Sequence, residues 1–283
     1  MTAVDSRVLV EAFDPLRRLC FAPPNAMVRA VSSPFRILRA ALNAVILPSW
    51  TVLCVTGGVI AGTLTRDKDL FYRWQRGWGR GLFRLCGIDV EVSGEEHMQP
   101  DTSYVIVANH ASYMDVPALF ALLPRPPQFI AKRELARIPF VGTALRWGRH
   151  VLIERGNRSS ARDSLEQAAS HVRAGAAVLV FPEGTRGVSD EVQKFKTGAL
   201  RLAKEAHASI LPVGISGTRS ILPKHGRLLY PGRISVRIGP ALTPDEVSST
   251  DMRALAQITR SRVAELARLP LATSERPAAR NES

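Results

Sequence analysis

From residue 88 onward, short apolar runs alternate with stretches in which apolar positions recur every three or four residues. The runs 88–93, 103–108, 127–131, 149–153, 176–181, 209–215 and 233–238 read as strands. Residues 159–173 read as a helix, because Ala161, Leu165, Ala168 and Val172 share one face and Gly175 follows the last turn. Thr243-Pro244-Asp245-Glu246 is a capping-box start with proline at the first helical position, and 251–267 continues with Met252, Ala256, Val263 and Leu266 on one side. This alternation predicts an α/β domain over 87–269, a layered sheet flanked by helices. The small and polar residues of 270–283 predict a disordered tail.

The N-terminal region, 1–86, follows a different pattern. The 26 residues between Arg39 and Arg66 carry no charge and include Leu42, Val45-Ile46-Leu47, Trp50, Val59-Ile60 and Leu64. As one helix they would run about 39 Å, at roughly 1.5 Å per residue, long enough to cross a bilayer. Pro48 interrupts the run and Gly57-Gly58 loosens it, while basic residues flank both ends (Arg29, Arg36 and Arg39, then Arg66, Lys68, Arg73 and Arg76). Flanks of equal sign favour a bent hairpin dipping into one leaflet over a full span, with a buried core helix as the plainer alternative. Residues 71–86 interleave Phe71, Tyr72, Trp74 and Trp78 with Arg73, Arg76, Arg80 and Arg84, the composition of an interfacial helix whose arginines reach lipid phosphates. An amphipathic helix packed on the core is the alternative, and Gly77, Gly79 and Gly81 weaken either helix. The expected location is the cell membrane, with the site on the cytoplasmic side. Asp5, Glu11 and Asp14 precede any apolar run, which is not the pattern of a signal peptide.

The 283-residue chain is 46% hydrophobic and carries a formal charge of +13. That charge favours anionic partners. Its spread along the chain, without a lysine-rich tail, suits a membrane face at least as well as nucleic acid, and no nucleic-acid partner is expected. The three cysteines are widely spaced and show neither zinc spacing nor a disulfide framework, so no metal is expected.

Chemistry-bearing residues fall at the ends of the predicted strands. Asn109-His110-Ala111-Ser112-Tyr113-Met114-Asp115 follows the apolar run Tyr104–Ala108. A carboxylate five residues past a histidine can turn back and hold one imidazole nitrogen, leaving the other to take a proton from a substrate. Phe181-Pro182-Glu183-Gly184-Thr185-Arg186 follows Val178-Leu179-Val180; its proline and glycine force a turn, so Glu183 and Arg186 project from one tight loop. Arg186 suits a phosphate, and Arg155, at the end of Val151-Leu152-Ile153-Glu154, suits a second contact to it. Each has a plainer reading alone: a structural histidine, a helix N-terminal carboxylate, a solvated arginine in a turn, a Glu154–Arg155 ion pair. Ile210-Leu211-Pro212-Val213 carries no chemical group and reads as a core strand or the wall of an acyl groove.

In this order, Asn-His-x4-Asp, Glu-Arg after an apolar strand, Phe-Pro-Glu-Gly-Thr-Arg and Leu-Pro-Val resemble the glycerolipid acyltransferase family, chiefly its 1-acylglycerol-3-phosphate acyltransferases, over about residues 80–240. Glu154 stands where the family often has aspartate, and Gly187 where serine often follows the arginine. The resemblance implies that His110 is the general base and Asp115 its orienting partner. Arg155, Arg186 and Lys132 would hold an acceptor phosphate, and Glu183, with Gly184 and Thr185, would shape the loop or meet a glycerol hydroxyl. It implies acyl-CoA or acyl carrier protein as donor, a lysophospholipid as acceptor, a membrane surface as partner and no cofactor. Other acceptors (glycerol 3-phosphate, an ornithine lipid, a glycolipid), a lipid or thioester hydrolase, and a non-enzymatic basic membrane-binding protein are the competing readings.

Overall fold

The computed structural model describes residues 34–65, 68–138, 141–153, 158–187, 189–226 and 228–272. The valine- and isoleucine-rich runs form seven strands: β1 Ile88–Ser93, β2 Tyr104–Ala108, β3 Gln128–Lys132, β4 Val151–Ile153, β5 Ala177–Val180, β6 Ser209–Ser216 and β7 Gly232–Ile238. They join in the order β1-β7-β6-β2-β5-β3-β4. All neighbours run parallel except β6 and β7, which pair antiparallel. Every residue of β2 is buried, as expected of a central strand covered on both faces. At the edge, β1 alternates buried and open positions.

The helices, in chain order, are α1 Pro34–Thr65, α2 Lys68–Cys86, α3 Asp115–Leu122, α4 Val141–Trp147, α5 Arg158–Arg173, α6 Gly198–Ala206, α7 Thr218–Ile221, α8 Pro244–Ser249 and α9 Met252–Ala267. Side-chain alternation along β2 divides the core. Tyr104, Ile106 and Ala108 pack with α2 and α3 on one face. Val105 and Val107 pack with α5, α6 and α9 on the other. The layered α/β architecture expected from the alternation is therefore present. Thr243 and Glu246 close the capping box expected at the start of α8.

Two readings of the N-terminal region are corrected. Pro48 does not break the apolar run: α1 is one helix of 32 residues with Pro48 inside. Contacts on either side of the proline hold it against α2: Asn43 Nδ2 donates to the Cys86 carbonyl at 3.1 Å, and Trp50 Nε1 to the Trp78 carbonyl at 2.9 Å. These pairings run in opposite order along the two helices, so α1 and α2 are antiparallel. The hairpin lies between α1 and α2, not at Pro48. Gly57 does not loosen the helix either; a Cβ there would sit 2.8 Å from the Trp74 ring, so its missing side chain makes room for an indole.

The second correction concerns the arginines of α2. Arg76 donates through Nη2 to the Leu123 and Pro124 carbonyls, and Arg80 donates through Nε to the Ala121 carbonyl at 3.1 Å. They satisfy the open C-terminal end of α3, where carbonyls lack helical partners and cations are favoured. Leu82, Phe83 and Cys86 of α2 lie in the same core as the strands. The α2 face toward α3 is thus protein-facing, and Gly79 permits it: a Cβ there would lie 2.8 Å from the Pro117 carbonyl oxygen.

Among the described residues, the outer face of α1 is left uncovered. Leu38, Leu42, Val45, Leu53, Ile60 and Leu64 are all exposed. Ile37–Thr65 is the one helix among the described residues long and apolar enough to cross a membrane. Residues 270–272, assigned above to a disordered tail, are paired: Val192 N–H donates to the Pro270 carbonyl and Ala272 N–H to that of Val192. Val192 lies outside the named strands, and this segment together with Arg260, which also donates to the Val192 carbonyl, satisfies its backbone groups. The remainder of that expected tail, and residues 1–33, lie outside the described residues.

Candidate active site

The site forms where β6, β2 and β5 lie side by side and end at the same edge, the place where parallel sheets present side chains beyond their carboxyl ends. Asn109, the first residue past β2, turns back into the sheet and bonds both ways to Ile215 of β6, its Nδ2 donating at 2.9 Å and its Oδ1 accepting at 2.8 Å. This anchor fixes where His110 emerges.

Asp115 is completely buried at the first position of α3, and its Oδ2 accepts three hydrogen bonds, from His110 Nδ1 at 2.7 Å, Ala111 N–H at 2.8 Å and Ser112 N–H at 2.9 Å. Two backbone N–H donors and the start of a helix thus converge on that oxygen, which accepts every hydrogen bond it makes. An acceptor-only oxygen facing Nδ1 places the ring proton there, so Nε2 carries the free lone pair. The spacing of five residues is what a turn followed by one helical residue needs to bring the two side chains together.

The loop after β5 grips the loop after β2. The carboxylate of Glu183 accepts the His110 N–H at 2.7 Å through Oε1 and the Gln193 N–H at 3.2 Å through Oε2. Gly187 N–H donates to the His110 carbonyl at 2.8 Å. The Phe181 ring stacks on the imidazole, with centroids 4.1 Å apart and planes 17° from parallel. Burial pushes the Glu183 carboxyl up to about 7 from its ordinary 4.5, while the two backbone donors pull the other way. Gly184, at φ 76°, makes the turn that the Pro-Glu-Gly sequence predicts.

Arg186 lies with its guanidinium carbon 3.7 Å from the centroid of the Tyr113 ring and donates through Nη1 to the Lys224 carbonyl at 3.0 Å. Thr185 is exposed beside it. A Cβ on Gly184 would meet Lys196 Nζ at 2.6 Å, so a second cation stands against this loop. Of the residues singled out in the sequence, His110, Asp115, Glu183, Gly184, Thr185 and Arg186 are thus gathered at two touching loops. Arg155 lies outside the described residues. Lys132 ends β3, and its side chain lies outside them too.

Several contributors escape the sequence reading. Arg219, at the start of α7 just past β6, clasps the second loop by donating to the Gly187 and Ser189 carbonyls and pairing with Asp190 at 2.9 Å. Its position one turn beyond a strand end was the available signal. Ser112 Oγ donates to the Leu222 carbonyl at 2.7 Å and tethers the first loop to the same region.

An apolar cavity of about 190 Å³ opens beside α3, lined by Val55, Phe71, Trp78, Val116, Phe120 and Phe129 among others. Val116, the residue after Asp115 on α3, stands in its wall. His150 stands in its wall, accepts the Phe129 N–H through Nδ1 at 3.1 Å and is held neutral by burial, which drops it to about 3. Among the described residues no cluster of three or more His, Cys, Asp or Glu side chains is placed to hold a metal ion.

The family model described as "Acyltransferase" matches residues 89–216, the stretch from β1 to the end of β6. A 1-acyl-sn-glycerol-3-phosphate acyltransferase of Saccharomyces cerevisiae is 30% identical over 218 residues, 74% of this chain and 71% of that protein. One from Chlamydomonas reinhardtii is 36% identical over 74% of this chain and 66% of its own length, and the alpha form of Mus musculus is 34% identical over 62% of each. The matched region thus spans somewhat under two thirds of these last two relatives. The crystal structure of the 1-acyl-sn-glycerophosphate (LPA) acyltransferase from Thermotoga maritima superposes with a TM-score of 0.72 at 29% identity, covering 82% of this chain and 97% of that one. The chain belongs to the acyltransferase family.

Proposed function

We propose that the protein is a 1-acylglycerol-3-phosphate O-acyltransferase, which moves a fatty acyl group from a thioester to the free hydroxyl of a lysophosphatidate and yields phosphatidate. The observation that carries this is the buried Asp115 holding Nδ1 of a half-open His110, on a loop bonded to the one that bears Arg186. His110 Nε2 takes the proton of the acceptor hydroxyl as its oxygen attacks the thioester carbon. Asp115 stabilises the imidazolium that forms. Collapse of the tetrahedral intermediate expels the thiolate, which regains the proton from His110. No acyl-enzyme is formed. Arg186, Arg155 and Lys132 hold the acceptor's phosphate, and Lys196 adds charge beside Gly184. Glu183 spends both oxygens on backbone N–H groups, so its part is to hold the two loops together. The apolar cavity beside α3 takes the acyl chain.

The outer face of α1 enters one leaflet of the cytoplasmic membrane surface, where acyl donors and lysophospholipids meet. The relatives are named for the same acceptor class, which supports the reading.

The test is acyl transfer by the purified chain in mixed micelles, with labelled acyl-CoA and labelled acyl carrier protein offered separately. Acceptors are 1-acylglycerol 3-phosphate, glycerol 3-phosphate, a lyso-ornithine lipid and water alone. Labelled phosphatidate, absent with His110→Ala, is expected. Exclusive transfer to another acceptor, or release of free fatty acid only, would overturn the assignment.

A further inference from the structure

Among the described residues, four contacts join the loop after β2 to the loop after β5, and three of them involve His110: its ring on Phe181, its N–H on Glu183 and its carbonyl on Gly187 N–H. The fourth does not touch the base. It is the stack of the Arg186 guanidinium on the ring of Tyr113, three residues along from His110. Tyr113 is 63% exposed, so its ring fills no core. Its face is covered by a cation.

The two arginines of this region are held differently. Arg219 is neutralised by Asp190 and spends its donors on loop carbonyls. Among the described residues no carboxylate pairs with Arg186; an aromatic face and one carbonyl fix it instead. An aromatic face restrains a guanidinium without cancelling its charge, and leaves the in-plane N–H edge open to a bidentate oxyanion. A carboxylate partner would fix the side chain equally well and compete with a phosphate.

Tyr113 also shares a rigid frame with the base. Ser112 Oγ accepts the Met114 N–H at 3.1 Å while donating to the Leu222 carbonyl, and Asp115 Oδ2 ties down Ala111 and Ser112. The backbone that carries the ring at 113 and the imidazole at 110 is therefore one tied segment, and the ring meets the guanidinium across the two loops.

We infer that Tyr113 is a positioning residue that presets Arg186, through its ring face, at a fixed separation from His110, and so selects acceptors whose phosphate and free hydroxyl match that separation. This rests on Arg186 being a ligand of the acceptor's phosphate, as in the functional reading above.

The experiment is a double-mutant cycle on the full chain in mixed micelles, with wild type, Tyr113→Leu, Arg186→Ala and the double variant, plus Tyr113→Phe. Both the binding of 1-acylglycerol 3-phosphate and the steady-state kinetics are measured. Tyr113→Leu should raise the acceptor Kd and KM about three- to tenfold, with kcat and donor KM close to wild type, as befits losing one partly exposed cation–π contact. Tyr113→Phe, which keeps the ring face, should restore the acceptor values. In the Arg186→Ala background Tyr113→Leu should add nothing, because its effect passes through the arginine. An undiminished effect in that background, or no effect in either, overturns the inference. Coupled binding without any acyl transfer upholds the stack and overturns the transferase reading; transfer with fully additive variants does the reverse.

Discussion

At the scale of single residues, His110 is held in place because one oxygen of Asp115 is committed to three donors. Asp115→Asn keeps the shape but puts an amide where an ionised acceptor stood. The neutral oxygen can still take the backbone N–H groups of Ala111 and Ser112, but it stabilises the imidazolium poorly and no longer enforces Nδ1–H. The rate should fall on the order of 10²–10⁴, as when a general base is disabled, with the thermal unfolding midpoint little changed. A variant within twofold of wild-type kcat would remove Asp115 from the mechanism.

Glu183 adds a pH dependence. Its carboxyl titrates at about 7 folded against 4.5 in an open chain, so between those values the native state binds a proton that the unfolded state has released. Stability contributed by this group is therefore complete below about 4.5 and is lost as pH rises to about 7, by about 3 kcal/mol at roughly 1.36 kcal/mol per unit. Denaturant unfolding across pH 4.5–8 should show this fall, and Glu183→Gln should flatten it while weakening the bond to His110 or Gln193. The placement of both acid groups and Arg186 just past strand ends was legible in the sequence, because an apolar run followed by a polar turn marks it. The partners of Asn109 and Ser112 were not: Ile215 and Leu222 are 106 and 110 residues away, and which strands lie together is a property of the sheet.

At the scale of elements, the seven strands were readable to within one or two residues, since each is an apolar run or, as in β1 and β7, an apolar–polar alternation between turn residues. The glycines of α2 were misread because periodicity tells nothing of what approaches them. Gly79 faces α3 so closely that a Cβ would lie 2.9 Å from that of Ala121, whereas nothing stands within 4 Å of a Cβ on Gly77. The same substitution should then act in opposite directions. Gly77→Ala gains helix propensity, roughly 0.5–1 kcal/mol. Gly79→Ala gains as much but must push α3 away, a net loss of about 1–3 kcal/mol typical of overpacking. Because α3 begins at Asp115, activity should fall with Gly79→Ala alone. Thermal unfolding in detergent and the transfer assay check both, and equal shifts for the two variants would mean that α2 does not pack on α3 this closely.

At the scale of the whole molecule, the apolar run was legible as one long apolar helix, but its posture depends on contacts the pattern does not encode. A helix of 32 residues is about 48 Å long, at roughly 1.5 Å per residue, against about 30 Å of hydrocarbon. Upright in a bilayer, it would draw α2 in with it, because Asn43, Trp50 and Gly57 contact α2 along its length. Arg76 and Arg80 would then have to leave the α3 carbonyls or carry the sheet into the acyl chains. Lying in the plane, α1 buries Leu38, Val45, Leu53 and Leu64, which share its outer face, and leaves the α2 side bonded to the α/β body. The +13 charge holds that posture against an anionic surface, by about 1 kcal/mol for each basic residue close to it. Single cysteines at these four positions, labelled with a lipid-sensing fluorophore in vesicles containing phosphatidylglycerol, should report one common shallow depth. Raising salt should release the protein from neutral vesicles less than from anionic ones. A depth profile that peaks at Val45 and Leu53 and falls to water at Leu38 and Leu64 would establish a span and overturn the in-plane arrangement.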